Sequence, residues 1–209
     1  MKSRKPNRLP GYDYSHDGCY FFTGVVQGRL CCLGEVRAGV MHLNSFGKVA
    51  QERWFWLAEQ DPCVRLHAFV VMPSHVHGIL EIDRSMIDPP SAGTGRDPSL
   101  HEADHGSIQI KSLPELKGAC KTTVSKHIHL AGLLEFGWQR SFHDRIIRDR
   151  AGFERISRYM HDNPANWKDD DLYSAPCPPS SLPPTQFGMA RKPNHFSYLH
   201  NQKKTLWET

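Results

Sequence analysis

Apolar and polar positions along the chain recur with periods that change several times, and each period predicts an element. The run Cys19-Tyr-Phe-Phe-Thr-Gly-Val-Val26 is rich in aromatic and β-branched residues and reads as a buried first strand. Residues 30–36 are the expected hairpin partner of that strand. From 42 to 60, Leu43, Phe46, Val49, Trp54 and Leu57 fall at helical spacing. Residues 64–72 and 75–82 predict two further strands joined by a tight Met72-Pro73-Ser74 turn. Residues 83–107 lose all periodicity around Pro89-Pro90 and predict a mobile loop between core elements. Helical spacing resumes at Leu113, Leu116, Cys120 and Val124 and runs to about 130. Residues 137–140 read as a short strand or rigid turn. A last helix carries Phe153, Ile156 and Met160 and stops at Pro164, because the residue before a proline is pushed out of helical geometry. Strand, strand, helix, strand, strand, helix, helix predicts an α+β fold with an antiparallel sheet covered by helices.

Length and composition bound this picture. The 209 residues fit one domain, expected over 1–173. Beyond it lies a tail, 174–209, interrupted by Pro176, Pro178, Pro179, Pro183 and Pro184. Hydrophobic residues make up 39% of the chain, below the usual share, which fits a segment outside the core. A net charge of +4 permits nucleic-acid contact without requiring it. Six cysteines show neither C-x-x-C nor zinc-finger spacing. The basic start, Met1-Lys-Ser-Arg-Lys-Pro6, is followed by no apolar signal region, and no stretch is long enough to span a bilayer. A reducing cytoplasm is the expected compartment, with no membrane partner.

Chemistry enters at His75-Val76-His77. On a strand the two imidazoles project to one face while Val76 packs on the other, so the pair can grip one divalent ion. Taken alone, the doublet reads equally as two half-exposed histidines satisfied by hydrogen bonds. Tyr159 and Asn163, at i and i+4 on the last helix, share a face and can offer a nucleophile and an oxygen ligand. Taken alone, they read equally as a core tyrosine and a helix-end residue. Lys117, Lys121 and Lys126 recur near helical spacing. Arg140, Arg145, Arg148 and Arg150 crowd the approach to the tyrosine helix. These cations are candidates for backbone contacts to DNA, or for an ordinary solvated face. Trp138 reads either as a base-stacking platform or as core packing.

In order, the chain carries Leu-Pro-Gly-Tyr-Asp-Tyr14, Met-Pro-Ser-His-Val-His77, Trp-Gln-Arg140, Ile-Ile-Arg148 and Tyr159-x-x-x-Asn163-Pro164. That series, from about residue 4 to 172, resembles the single-tyrosine HUH transposases of the IS200/IS605-like group, and most of all their REP-associated branch. The resemblance implies the HUH nuclease fold, a ferredoxin-like or RRM-like antiparallel sheet covered by helices. It implies Tyr159 as nucleophile and His75, His77 and Asn163 as ligands of Mg²⁺ or Mn²⁺. Asn163 stands where many members carry Gln, and Ser74 where Asn is usual. The implied substrate is single-stranded DNA folded into a hairpin, cut and rejoined through a 5′-phosphotyrosine, and the implied assembly is a homodimer. Two other readings stand beside it: a non-catalytic hairpin-binding protein, and an HUH replication initiator or relaxase. Relaxases commonly place their tyrosine near the N-terminus and use a third histidine.

Overall fold

The computed structural model describes residues 11–87, 110–140 and 143–174. Six strands and three helices follow in the order β1 (Gly18–Val25), β2 (Gly34–Arg37), β3 (Val40–Leu43), α1 (Ser45–Gln60), β4 (Val64–Val71), β5 (His75–Ile82), α2 (Leu113–Leu130), β6 (His143–Ile147) and α3 (Arg150–Asp162). Four strands form one antiparallel sheet in the order β4-β5-β1-β6. Setting aside the β2–β3 hairpin, the chain reads β-α-β-β-α-β followed by α3, with its first and third core strands at the centre. This is the ferredoxin-like arrangement.

Helices cover both faces of the sheet. Tyr20, Phe22, Val76, Leu80 and Ile82 meet Trp54 and Leu57 of α1 and Leu116 and Val124 of α2 in the main core. Cys19, Ile79 and Ile147 on the other face meet Ile156 and Met160 of α3. As a result, all eight residues of β5 are buried. Gly78 is what lets α1 approach: a side chain there would come within 2.7 Å of the Phe22 ring and 2.8 Å of the Trp54 ring. Trp54 is then free to stack on Phe69, with centroids 4.7 Å apart.

Local sequence sets the helix ends. Asn44 accepts a hydrogen bond from Gly47 N and opens α1. Asp149 accepts from Gly152 N and opens α3. At α2, Ser112 N donates to Glu115 at 2.7 Å. The first helix therefore begins three residues later than its apolar spacing suggests, because His42 and Leu43 belong to β3.

Residues 30–36 are not the partner of β1. Both of its edges are taken, by β5 and β6, and Gly34–Arg37 pairs instead with Val40–Leu43. The stretch between packs inward through Cys31, Cys32 and Leu33. Residues 137–140, expected as a short strand or rigid turn, form no strand; Trp138 makes an isolated bridge to Val26 beside the end of β1. The expected loop lies outside the described residues from 88 on, as do the basic start of the chain to residue 10 and the tail from 175. The five described cysteines are buried thiols, none in a disulfide. Among the described residues no helix is long and apolar enough to cross a membrane.

Candidate functional site

Strand alternation on β5 turns His75 and His77 toward the face that α3 covers. Both are buried, 0% and 2% exposed, with ring centroids 4.6 Å apart. Register supplies a partner for each. Thr23 pairs directly with His77 across β1–β5, and its Oγ1 lies 2.8 Å from His77 Nδ1. Ser74 Oγ donates to Leu172 O at 3.1 Å, which leaves its lone pairs for His75 Nδ1 at 3.4 Å. With Nδ1 engaged on both rings, Nε2 is the nitrogen left to face the site. His75 Nε2 is buried and has no hydrogen-bond partner among the described residues.

Helix α3 brings Tyr159 over these rings. Its hydroxyl lies 3.3 Å from His77 Nε2 and 3.4 Å from Asp170 Oδ2. The phenol ring stands edge-on to His77 and Phe21, and 46% of the residue is exposed. One turn on, Asn163 is buried at the helix end; its Nδ2 donates to Asp170 Oδ2 at 2.8 Å, while Oδ1 has no partner among the described residues.

Asp170 is the residue that sequence reasoning missed. It follows a single turn of 3₁₀-helix, Trp167–Asp169, and Leu172 N donates to its Oδ1 at 2.6 Å. Ligand atoms of His75, His77 and Asp170 all lie within 4.8 Å of one another, forming the group that could hold a metal among the described residues. The only signal in the sequence was the acidic run Asp169-Asp170-Asp171 just past the tyrosine helix. The donor set fits a divalent cation: two imidazole nitrogens, of which His75 Nε2 has no partner among the described residues, a carboxylate, and the buried, unpartnered Oδ1 of Asn163.

Electrostatics agree with that fit. Burial lowers His75 to about 4, against a smaller upward pull from Asp170. Burial also lowers His77 well below its ordinary value, and His75 adds to that. Both rings are therefore neutral near pH 7, as ligands must be. Burial and then the facing Asp170 push the Tyr159 phenol up to about 12. The lowered histidines give a stability prediction for metal-free protein. An unfolded chain takes up protons on its histidines below about pH 6.5, whereas folded His75 resists until about 4. The unfolded state thus binds more protons in that window, and stability falls as pH falls through it. Going from pH 7.5 to 5 with a chelator present, His75 alone should remove roughly 2 kcal/mol, with His77 adding in the same direction. Urea midpoints that match at the two pH values would contradict this.

The predicted DNA-contacting cations part company. Lys117 lies in the main core, 2% exposed, with its ammonium paired to Asp144 rather than turned to solvent. Lys121 is half-buried and, with Arg140, lines a groove beside α2. Arg145 on β6, Arg148 in the link after it and Arg150 at the start of α3 are exposed. Arg155 and Arg158 of α3, not singled out from sequence, line a cleft of about 320 Å³ together with Tyr159, Asn163 and Asp170.

The chain is similar to solved transposase structures. A REP-associated tyrosine transposase bound to a REP hairpin matches over 80% of this chain and 74% of its own, at 18% identity and a TM-score of 0.47. A candidate transposase from Deinococcus radiodurans R1 matches over 74% of this chain and 95% of its own, at 15% identity and a TM-score of 0.40. An uncharacterized protein of Haemophilus influenzae is 29% identical over 182 residues, covering 81% of this chain and 93% of its own length. No protein-family model matches the chain.

Proposed function

We propose that this protein is a single-tyrosine HUH transposase of the REP-associated kind, which cleaves and rejoins single-stranded hairpin DNA through a 5′-phosphotyrosine. One observation carries the reading: the Tyr159 hydroxyl lies within 3.4 Å of both His77 Nε2 and Asp170 Oδ2, above a buried His75 Nε2 that has no partner among the described residues. A core histidine pair kept for packing would have its polar atoms satisfied. The series of motifs from Leu9 to Pro164 supports the same reading.

In this reading His75, His77 and Asp170 would hold Mg²⁺ or Mn²⁺, and Asn163, whose buried Oδ1 has no partner among the described residues, is a further candidate oxygen ligand. Zinc would compete for such nitrogen ligands. A bound dication supplies positive charge to the scissile phosphate and to the leaving 3′ oxygen. The protein contributes position. Thr23 and Ser74 fix the two rings, Asn163 fixes the carboxylate, and α3 holds the phenol half-exposed where a phosphodiester can reach it. Tyr159 Oη loses its proton to solvent as it bonds to phosphorus, the P–O3′ bond breaks, and the leaving 3′ oxygen takes up a proton from solvent. Bond energy is kept in the phosphotyrosine, so rejoining needs no nucleotide cofactor. Arg155 and Arg158, along the cleft, are suited to the flanking phosphates.

The test is a hairpin taken from DNA flanking the gene, labelled at either end and incubated with protein and Mg²⁺ or Mn²⁺. A denaturant-resistant adduct should appear on the fragment carrying the 5′ phosphate and vanish with chelator. Tight binding with no adduct under any metal would instead favour the non-catalytic hairpin-binding reading. Asp170→Asn should weaken Mn²⁺ affinity, read by calorimetry, by at least the ~10–100-fold that even supporting groups of a metal site are worth. An unchanged affinity would remove Asp170 from the ligand set.

A further inference from the structure

Between α2 and the segment that follows it runs an open groove of about 830 Å³ that the tyrosine site does not use. Lys121, Lys126 and Arg140 line it, and among the described residues no acidic side chain does. Trp138 forms a wall, and Leu130 and Leu134 stand at the rim, 71% and 77% exposed. The Lys121 ammonium donates to Gln139 O at 2.8 Å and sits 5.6 Å from the centre of the Trp138 ring. Burial lowers Lys121 to about 8, so an arriving anion would restore solvation that the groove denies it.

Gly118, well inside α2, also lines the groove. A side chain there would meet nothing within 4 Å among the described residues. A helical glycine costs about 1 kcal/mol against alanine, and a longer side chain at 118 would project into the groove without meeting any described neighbour.

We propose that this groove binds a single strand of nucleic acid, with unpaired bases against Trp138 and the rim leucines and backbone phosphates on Lys126 and Arg140. The inference rests on the strand-cleaving reading above and gives that strand a path. An apolar wall suits bases that have left a stack, whereas a duplex offers such a wall only its charged backbone. Placement fits as well. Gln139 N donates to Val25 O, and Val25 pairs with His75, so the groove meets the sheet at the end that carries the histidines, on the opposite face.

The experiment uses the full chain with chelator, fluorescence anisotropy, and a labelled fifteen-residue oligothymidine beside a duplex of equal length. Lys126→Glu/Arg140→Glu should weaken single-strand binding at least about tenfold, and should flatten the slope of log affinity against log salt by about 1.4. Gly118→Gln should also weaken it, with no loss of thermal stability, which removal of charge alone would not explain. Unchanged single-strand affinity in these variants, or a loss confined to the duplex, would overturn the proposal. The covalent adduct of the wild-type chain is scored separately. An adduct with unaltered affinity in the variants rejects the groove and keeps the catalytic reading. Lost affinity with no adduct on any strand keeps the groove and rejects that reading.

Discussion

A Tyr159→Phe protein will form no covalent adduct with DNA, a loss of at least ~10³-fold in strand cleavage, and will still hold the same hairpin within about twofold. The substitution removes one oxygen and leaves the ring. Edge-on contacts to Phe21 and His77 depend on that ring, so the packing of α3 should survive. The lost oxygen is the one facing His77 Nε2 and Asp170 Oδ2. Because the phenol is held up to about 12 by its burial and by Asp170, it is protonated in the resting protein and awaits positive charge. Mn²⁺ affinity should therefore be nearly unchanged in the variant, which separates loss of the nucleophile from collapse of the site. Cleavage at the wild-type rate would place the nucleophile elsewhere, and a water molecule would then be the first suspect.

The largest effect on stability is expected at Lys117. Its side chain and that of Asp144 are each 1% exposed, and the two are ion-paired inside the main core. Removing one member leaves the other charge in a medium that solvates it poorly. Lys117→Ala should cost roughly 3–5 kcal/mol in urea unfolding. Replacing both, as Lys117→Met/Asp144→Leu, should recover most of that loss, since a hydrophobic pair of similar volume avoids the desolvation altogether. A single substitution costing under about 1 kcal/mol would show that the pair is solvated after all.

Lys117 also shows where sequence reading stops. Its place on the buried stripe was legible, four residues after Leu113 and three before Cys120. The charge drew it to the surface, because a buried lysine is unexpected until its partner is known, and Asp144 lies twenty-seven residues away on another element. The histidine pair was legible for the opposite reason: period-2 alternation over 75–82 fixes the facing direction of His75 and His77 without knowledge of any neighbour. Tyr159 and Asn163 followed from a helix that has both an apolar stripe and a proline stop. The β2–β3 hairpin escaped notice because its strands are four residues long and alternate between half-buried and exposed positions. Its turn does carry a signal, Ala38-Gly39, both at positive φ. Asp170 escaped because it sits on no periodic element, and only the folded path of the chain after α3 puts it beside the histidines.

That path has a practical consequence for anyone trimming the chain. The segment after Pro164 is strapped across the sheet end at several points. Arg29 donates to Asp171 O, Ser74 to Leu172 O, and the Cys31 thiol to Ser174 O, while the Trp167 ring lies 5.8 Å from that of His75. A fragment ending at the last turn of α3 keeps every described strand and α-helix, both histidines and the tyrosine, and would look intact by circular dichroism. It would nevertheless lack the carboxylate and the backbone oxygen that orients Ser74. The smallest piece that retains the whole site ends no earlier than Leu172, ten residues past the final helix.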